Sequence, residues 1–256
     1  MSSTTEHFLA LQEERYECKR SEWIRSQLGN PEATESTEGW NELADEYDEK
    51  YEQWNDYMEE HLNWLKSQNH TTFFRYFLSS IEELKGVLVT SSSYPGNSNL
   101  INKMAYIHAV TLLETYLGDT LKNIVLSKPI FMERAVNKFE GLNTKKFTLR
   151  AILADTNIIA RELDEFLSEQ MYHNIIKIMN MYKAVFEIEI DYDKSMITKI
   201  VNNRHDLVHR NGKDKNNKPI DIDKVTLDAA ISHIHSFVSS VDEVVNQQHQ
   251  KSFQKD

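Results

Sequence analysis

Between Trp40 and Leu65 large apolar residues return at intervals of 4, 3, 4, 3, 4, 4 and 3, through Trp40, Ala44, Tyr47, Tyr51, Trp54, Met58, Leu62 and Leu65. A strand buries alternate residues and a helix every third or fourth, so this stretch buries one face only as a helix. The spacing is close to a heptad, but the seam is aromatic rather than Leu/Ile, which argues against a regular two-stranded zipper. Residues 5–28 read as a preceding helix, stopped by Gly29, Asn30 and Pro31. Two such helices in sequence suit an antiparallel hairpin, or a surface for a second protomer or partner.

The same period continues down the chain. Helices are expected over about 71–89, 100–126, 130–139, 145–153, 159–168, 171–186, 193–210 and 222–245. The stretch from Leu100 to Leu126 has a wide apolar face and is expected at the centre. On the last helix Val225, Leu227, Ile231, Ile234, Val238, Val241 and Val245 are expected inward. Ser91 to Asn99 is the clearest loop, Glu187 to Asp191 reads as a short extended connection, and the tail from Gln247 as polar and frayed. Only 7 Gly and 4 Pro interrupt 256 residues. The expected fold is all-α, a helical bundle with an N-terminal acidic helical arm. The expected domains are an arm over 1–70, a bundle over 71–246 and a tail over 247–256.

Charge divides the chain at the same place. Residues 1–70 hold 17 Asp+Glu against 6 Lys+Arg, and all four Trp; residues 71–256 hold 23 of each sign. The net charge of −11 therefore belongs to the arm. Such an arm repels nucleic acid unless it is held away from a binding groove or guards one. The single Cys18 excludes an intramolecular disulfide and a Cys-rich zinc site, and suggests a reducing compartment. No apolar run approaches a membrane span, and the N-terminus is polar. The expectation is a cytoplasmic protein with no membrane contact.

One stretch is chemically dense. From Ile197 to Gly212, an apolar stripe of Ile197, Ile200, Val201, Leu207 and Val208 carries Asn203, Arg204, His205, Asp206, His209, Arg210 and Asn211, and Asn211 with Gly212 supplies a helix stop. Packing has little use for two His, two Arg and an Asp in seven residues; acid/base chemistry on a phosphate does. A guanidinium fork matches phosphate oxygens and keeps its charge through an extra-charged transition state. A histidine titrates near neutrality, and the end of a helix favours a cation. On an ideal helix Arg204 and His209 stand about 140° apart, whereas His205 and His209 share a face. Either the helix distorts before Gly212, or the two groups meet different parts of one phosphate-bearing substrate, which suits a site shared between two chains.

Arg204 and His209, with four residues between them and polar His205 straight after the Arg, resemble the Arg-x4–6-His motif of the HEPN superfamily. The string Asn203 to Gly212 is similar to that of prokaryotic defence and toxin-type HEPN proteins. Ala105 to Leu117 resembles their long early helix, and the plausible cover is about 71–246. The resemblance implies a metal-independent endoribonuclease, without a cofactor. The enzyme so implied would cut RNA by 2′-hydroxyl attack, leave a 2′,3′-cyclic phosphate, and serve in anti-phage defence or as a toxin. The resemblance implies a composite site in a homodimer, with Arg204 and His209 catalytic and His205 in the polar slot. Asn203 and Arg210 are supporting candidates, Arg210 on no fixed motif position. The alternative is a non-catalytic HEPN module that binds RNA or a partner protein in a defence complex. A purely structural scaffold, with the motif accidental, is the third reading.

Each candidate has a plainer alternative. Arg204 and Arg210 are also suited to surface ion pairing, with Asp206 at hand. Glu114 either orients His209 or Arg204 or is a solvated or capping residue. Lys199, Lys213, Lys215 and Lys218 are RNA-contact candidates or solvated lysines. His108 is expected as a core histidine. His205 to His209 is also similar to the zincin string with Asp for Glu, but no third ligand follows at zincin spacing, and His233 and His235 lie on opposite faces of their helix. Residues 1–70 are a candidate dimerisation element, partner surface or guard over the site.

Overall fold

The computed structural model describes residues 3–91, 98–149, 152 and 157–252, with side chains from Tyr16 onward. The described residues form nine helices: α1 Ser3–Leu28, α2 Trp40–Ser67, α3 Thr71–Ser91, α4 Ser98–Ser127, α5 Pro129–Lys138, α6 Ile158–Ser168, α7 Ile175–Phe186, α8 Lys194–His209 and α9 Lys224–Ser252. The chain is all-α; the only β feature among the described residues is an isolated bridge between Lys213 and Pro219. Most of the expected 91–99 loop lies outside the described residues, as do 150, 151 and 153 of the expected 145–153 helix; residues 145–148 are described and are not helical. The chain forms two compact units, Met1–Leu65 with Lys145–Glu162, and Lys66–Thr144 with Leu163–Asp256.

In the first unit α1 and α2 run antiparallel. Trp23 meets Tyr47 at 5.5 Å between rings, while Tyr16, seven residues earlier, reaches Tyr51 at 4.8 Å. Arg20 holds Asp48 through Nε at 2.7 Å and Nη2 at 2.8 Å, and Tyr16 donates to the same carboxylate. Ile24, Ala33, Trp40 and Ala44 make the small core, with Trp23, Leu28 and Leu43 against it. Gly29, at φ +61°, turns the chain out of α1 in the left-handed region that a side chain disfavours. The aromatic seam is buried at Trp40, Ala44, Leu62 and Leu65 but exposed at Tyr51 and Trp54.

The second unit is built around α4, which packs against α3, α5, α7, α8 and α9. From Tyr116 to Leu126 almost every residue of α4 is buried, as its wide apolar face requires. Tyr182 of α7 is fully buried and donates to the Leu117 carbonyl at 2.9 Å, so its hydroxyl is satisfied. At Gly118 an added Cβ would meet the Tyr172 ring at 3.3 Å, which makes this a close approach. That contact explains why α7 begins at Ile175 and not at 171. Tyr172 lies over α4 in the preceding turn, and Asn174 caps α7 by accepting from the Lys177 amide at 3.1 Å.

Other expectations change. Glu187 to Asp191 is no strand: Glu187 sits at φ +59° as the cap of α7, its amide on the Lys183 carbonyl and its carboxylate on Arg134 and Lys138. Gln247 to Ser252 continues α9 rather than fraying, because His249 packs on His70 at 4.1 Å between rings and Ser252 accepts from Lys128. Val225 is 76% exposed, since two residues before buried Leu227 it faces the opposite side of α9. His108 is exposed on α4, on the side away from buried Ala109, Val110 and Leu113.

Candidate active site

The α8 helix starts where Asp193 accepts from the Ser195 amide at 2.9 Å. Ile197, Ile200, Val201 and Leu207 bury its inner face, as the apolar spacing predicts; Val208 is exposed instead. The helix ends at His209. Arg210 is the cap, its amide on the Asp206 carbonyl at 3.1 Å, and Asn211 and Gly212 follow at φ +54° and +75°. The left-handed pair reverses the chain, and only glycine takes the second position without strain.

Tyr106 of α4 ties the two site helices together. Its hydroxyl donates to the Ile200 carbonyl at 3.2 Å, and Asn203 hydrogen-bonds it in turn. Burial pushes this phenol up to about 12, with the Asn203 bond pulling the other way. Asn203 is thus engaged in holding α8 on α4.

Arg204 points toward α4, where its Nη2 stands 3.8 Å from Glu114 Oε2. Both side chains are about four-fifths covered, at 21% and 18% exposure. The separation is an ion pair but too long for a hydrogen bond. Arg204 Nε and Glu114 Oε1 are both buried without a hydrogen-bond partner. Of the two roles open to Glu114, the geometry matches the one beside Arg204.

The histidines occupy the outer side of the helix. His205 and His209 are exposed, their rings 4.7 Å apart, as their i, i+4 spacing requires. Arg204 and His209 therefore leave α8 on different sides within one chain. Arg210 is held by Asp206, Nε to Oδ1 at 2.9 Å, four residues earlier. Lys199, Lys213, Lys215 and Lys218 are all exposed. Among the described residues no group of three or more His, Cys, Asp or Glu is placed to hold a metal.

The loop after α8 is ordered by its own bonds. Asp214 Oδ1 accepts the amides of Asn216 and Lys218, each at 2.8 Å, and the Ile220 amide reaches the Gly212 carbonyl at 2.8 Å. Sequence reasoning passed over Lys103 and Tyr106. Lys103 Nζ lies 3.9 Å from where a Cβ on Gly212 would stand. A signal for it exists: it is the only Lys or Arg between Lys85 and Lys122.

Among known proteins, the RiboL-PSP-HEPN family model matches residues 72–247. No curated protein and no solved structure gives a significant match. With the match covering more than half of the chain, α8 and its Arg204–His209 spacing included, the protein belongs to the RiboL-PSP-HEPN family of the HEPN superfamily.

Proposed function

We propose that the protein is a metal-independent HEPN endoribonuclease of anti-phage defence or toxin type. Membership of the superfamily suggests a ribonuclease or RNA-binding role. The observation that favours cutting is the state of Arg204. It is about four-fifths covered, paired at a loose 3.8 Å, and keeps a buried unpartnered Nε beside an unpartnered Glu114 Oε1. Buried polar groups without a partner are few in native proteins, and such a pair beside the Arg204–His209 motif is suited to a ligand. Arg204 then holds the scissile phosphate and its developing charge, and His209, exposed at the end of α8, passes a proton. Because the two leave α8 on different sides, a complete site draws on a second copy. A homodimer and residues 1–70 as a separate partner-docking or guarding arm belong to this reading, as does a cytoplasmic setting. Among the described residues no helix is long and apolar enough to cross a membrane.

Incubation of purified protein with total RNA in EDTA, beside Arg204→Ala and His209→Ala, tests the reading. Cleavage by wild type and a loss of about 100-fold or more in each variant is expected. Retention of RNA without cleavage selects the non-catalytic module instead. Light scattering at micromolar concentration should give a dimer; a monodisperse monomer contradicts a self-contained composite site.

A further inference from the structure

The segment from Lys199 to Lys218 holds six Lys and Arg against two Asp, in a chain whose net charge is −11. Both acids are occupied locally. Asp206 holds Arg210, and Asp214 turns one oxygen inward to two amides of its own loop. Among the described residues no carboxylate forms an ion pair with Lys103, Lys199, Lys213 or Lys215, whereas several lysines elsewhere, such as Lys85 on Glu82, are so paired.

The basic loop is also anchored to α4 beside Lys103. Asn102 Nδ2 donates to the Ile222 carbonyl at 2.9 Å, and the Ile222 amide donates to Asn99 Oδ1 at 3.4 Å. With Ile220 closing on Gly212, the loop is fixed at both ends, and Lys103 reaches its glycine from the neighbouring helix. A Lys ammonium near a bare backbone turn gains little for stability, because ordering its long side chain costs conformational entropy. It gains more if a phosphate arrives there.

We propose that Lys103 is an RNA-phosphate ligand, one cation of a basic track made with Lys213, Lys215 and Lys218, that carries the substrate strand away from His209. The inference rests on the RNA-cleaving reading for its substrate class. Gly212 follows His209 by three residues, a span of at most about 11 Å. Lys103 therefore lies at the turn that directly follows the helix end carrying the proton-transferring group. The openness of Gly212 leaves that approach clear. The contact is to backbone charge, so it is independent of base sequence.

The test uses the full chain and a labelled single-stranded 2′-O-methyl oligoribonucleotide, which lacks the attacking hydroxyl. Binding is followed by fluorescence anisotropy between about 50 and 200 mM NaCl. Lys103→Ala and Lys103→Gln should weaken binding about 5–10-fold at the low-salt end and flatten the log–log salt slope by about 0.7, the loss of one phosphate contact on a single strand. Lys103→Arg should restore most of both. Lys85→Ala should keep the wild-type slope. Thermal melts run alongside, and Lys103→Gln, which keeps most of the stem, separates charge loss from misfolding. Wild-type affinity and slope in both neutral variants, or no binding by wild type, overturns the proposal. Cleavage of the unmodified oligoribonucleotide in EDTA is measured in parallel. Cleavage with Lys103-independent binding removes Lys103 alone, and Lys103-dependent binding without cleavage removes the nuclease reading alone.

Discussion

Arg204 Nη2 and Glu114 Oε2 face each other across the α4–α8 contact at 3.8 Å, each side chain keeping one buried polar atom unpartnered. The carboxylate is thus the counter-charge that lets a mostly covered guanidinium remain at the site. Removing it leaves that charge uncompensated, at a cost of about 1–3 kcal/mol. Glu114→Ala should lower Tm by several degrees, at about 2–4 °C per kcal/mol for a chain of this size, and should reduce RNA cleavage. Glu114→Gln should recover part of the stability and little of the activity. Differential scanning calorimetry with a cleavage assay reads both, and an unchanged Tm in Glu114→Ala places the carboxylate outside this role.

Tyr106→Phe deletes the bond to the Ile200 carbonyl and the partner of Asn203 while keeping the ring in the core. A loss of about 1 kcal/mol is expected. Chemical denaturation should show a lower midpoint with an unchanged m-value. A variant as stable as wild type means that the hydroxyl does not pin α8 to α4.

Gly212→Ala forces a side chain into φ +75° and brings its Cβ to 3.9 Å from Lys103 Nζ. The backbone penalty is about 1–2 kcal/mol. Protection of the amides in the 212–220 loop should fall in hydrogen exchange, with the core helices unaffected. Equal loop protection would show that the turn does not depend on glycine.

Acid should weaken the α9 end of the bundle. Burial pushes His249 down to about 4, with His70 and Lys128 adding to the effect. The unfolded chain, near 6.5, therefore binds the proton first. The contribution of this histidine is whole above pH 6.5, declines as pH falls toward 4, and levels off below. Asp242, raised by burial, acts in the opposite sense at the acid end of that window. Tm measured from pH 7.5 to 4.5 should fall less steeply in His249→Asn than in wild type. Parallel curves would mean that His249 is not the group responsible.

Much of the bundle was legible because its signal is periodic. The face of α4, the inner stripe of α8 and the antiparallel α1–α2 pair follow from apolar spacing, which a helix expresses locally. The misses come from contacts that join distant parts of the chain. The late start of α7 depends on Tyr172 lying against Gly118, and the persistence of α9 to Ser252 depends on His70 and Lys128. His108 sits in an apolar neighbourhood of the sequence yet on the outer side of its helix, a matter of a single 100° step. At the site, the spacing of Arg204 and His209 could be read directly, and Glu114 could be nominated. The split of Arg204 and His209 to different sides also followed from helix geometry. The placement of Lys103 at Gly212 did not, because it joins residues more than a hundred positions apart.

The chemistry of the cut ends bears most directly on the assignment of Arg204 and His209. A defined oligoribonucleotide is incubated in EDTA with wild type, Arg204→Ala and His209→Ala, and the products are weighed by mass spectrometry. Wild type should leave 2′,3′-cyclic phosphate ends, both variants should leave the RNA intact, and a 2′-deoxy nucleotide at the cut position should block the reaction. Wild-type cleavage giving other termini or persisting in either variant, or no cleavage by the wild type, would contradict it.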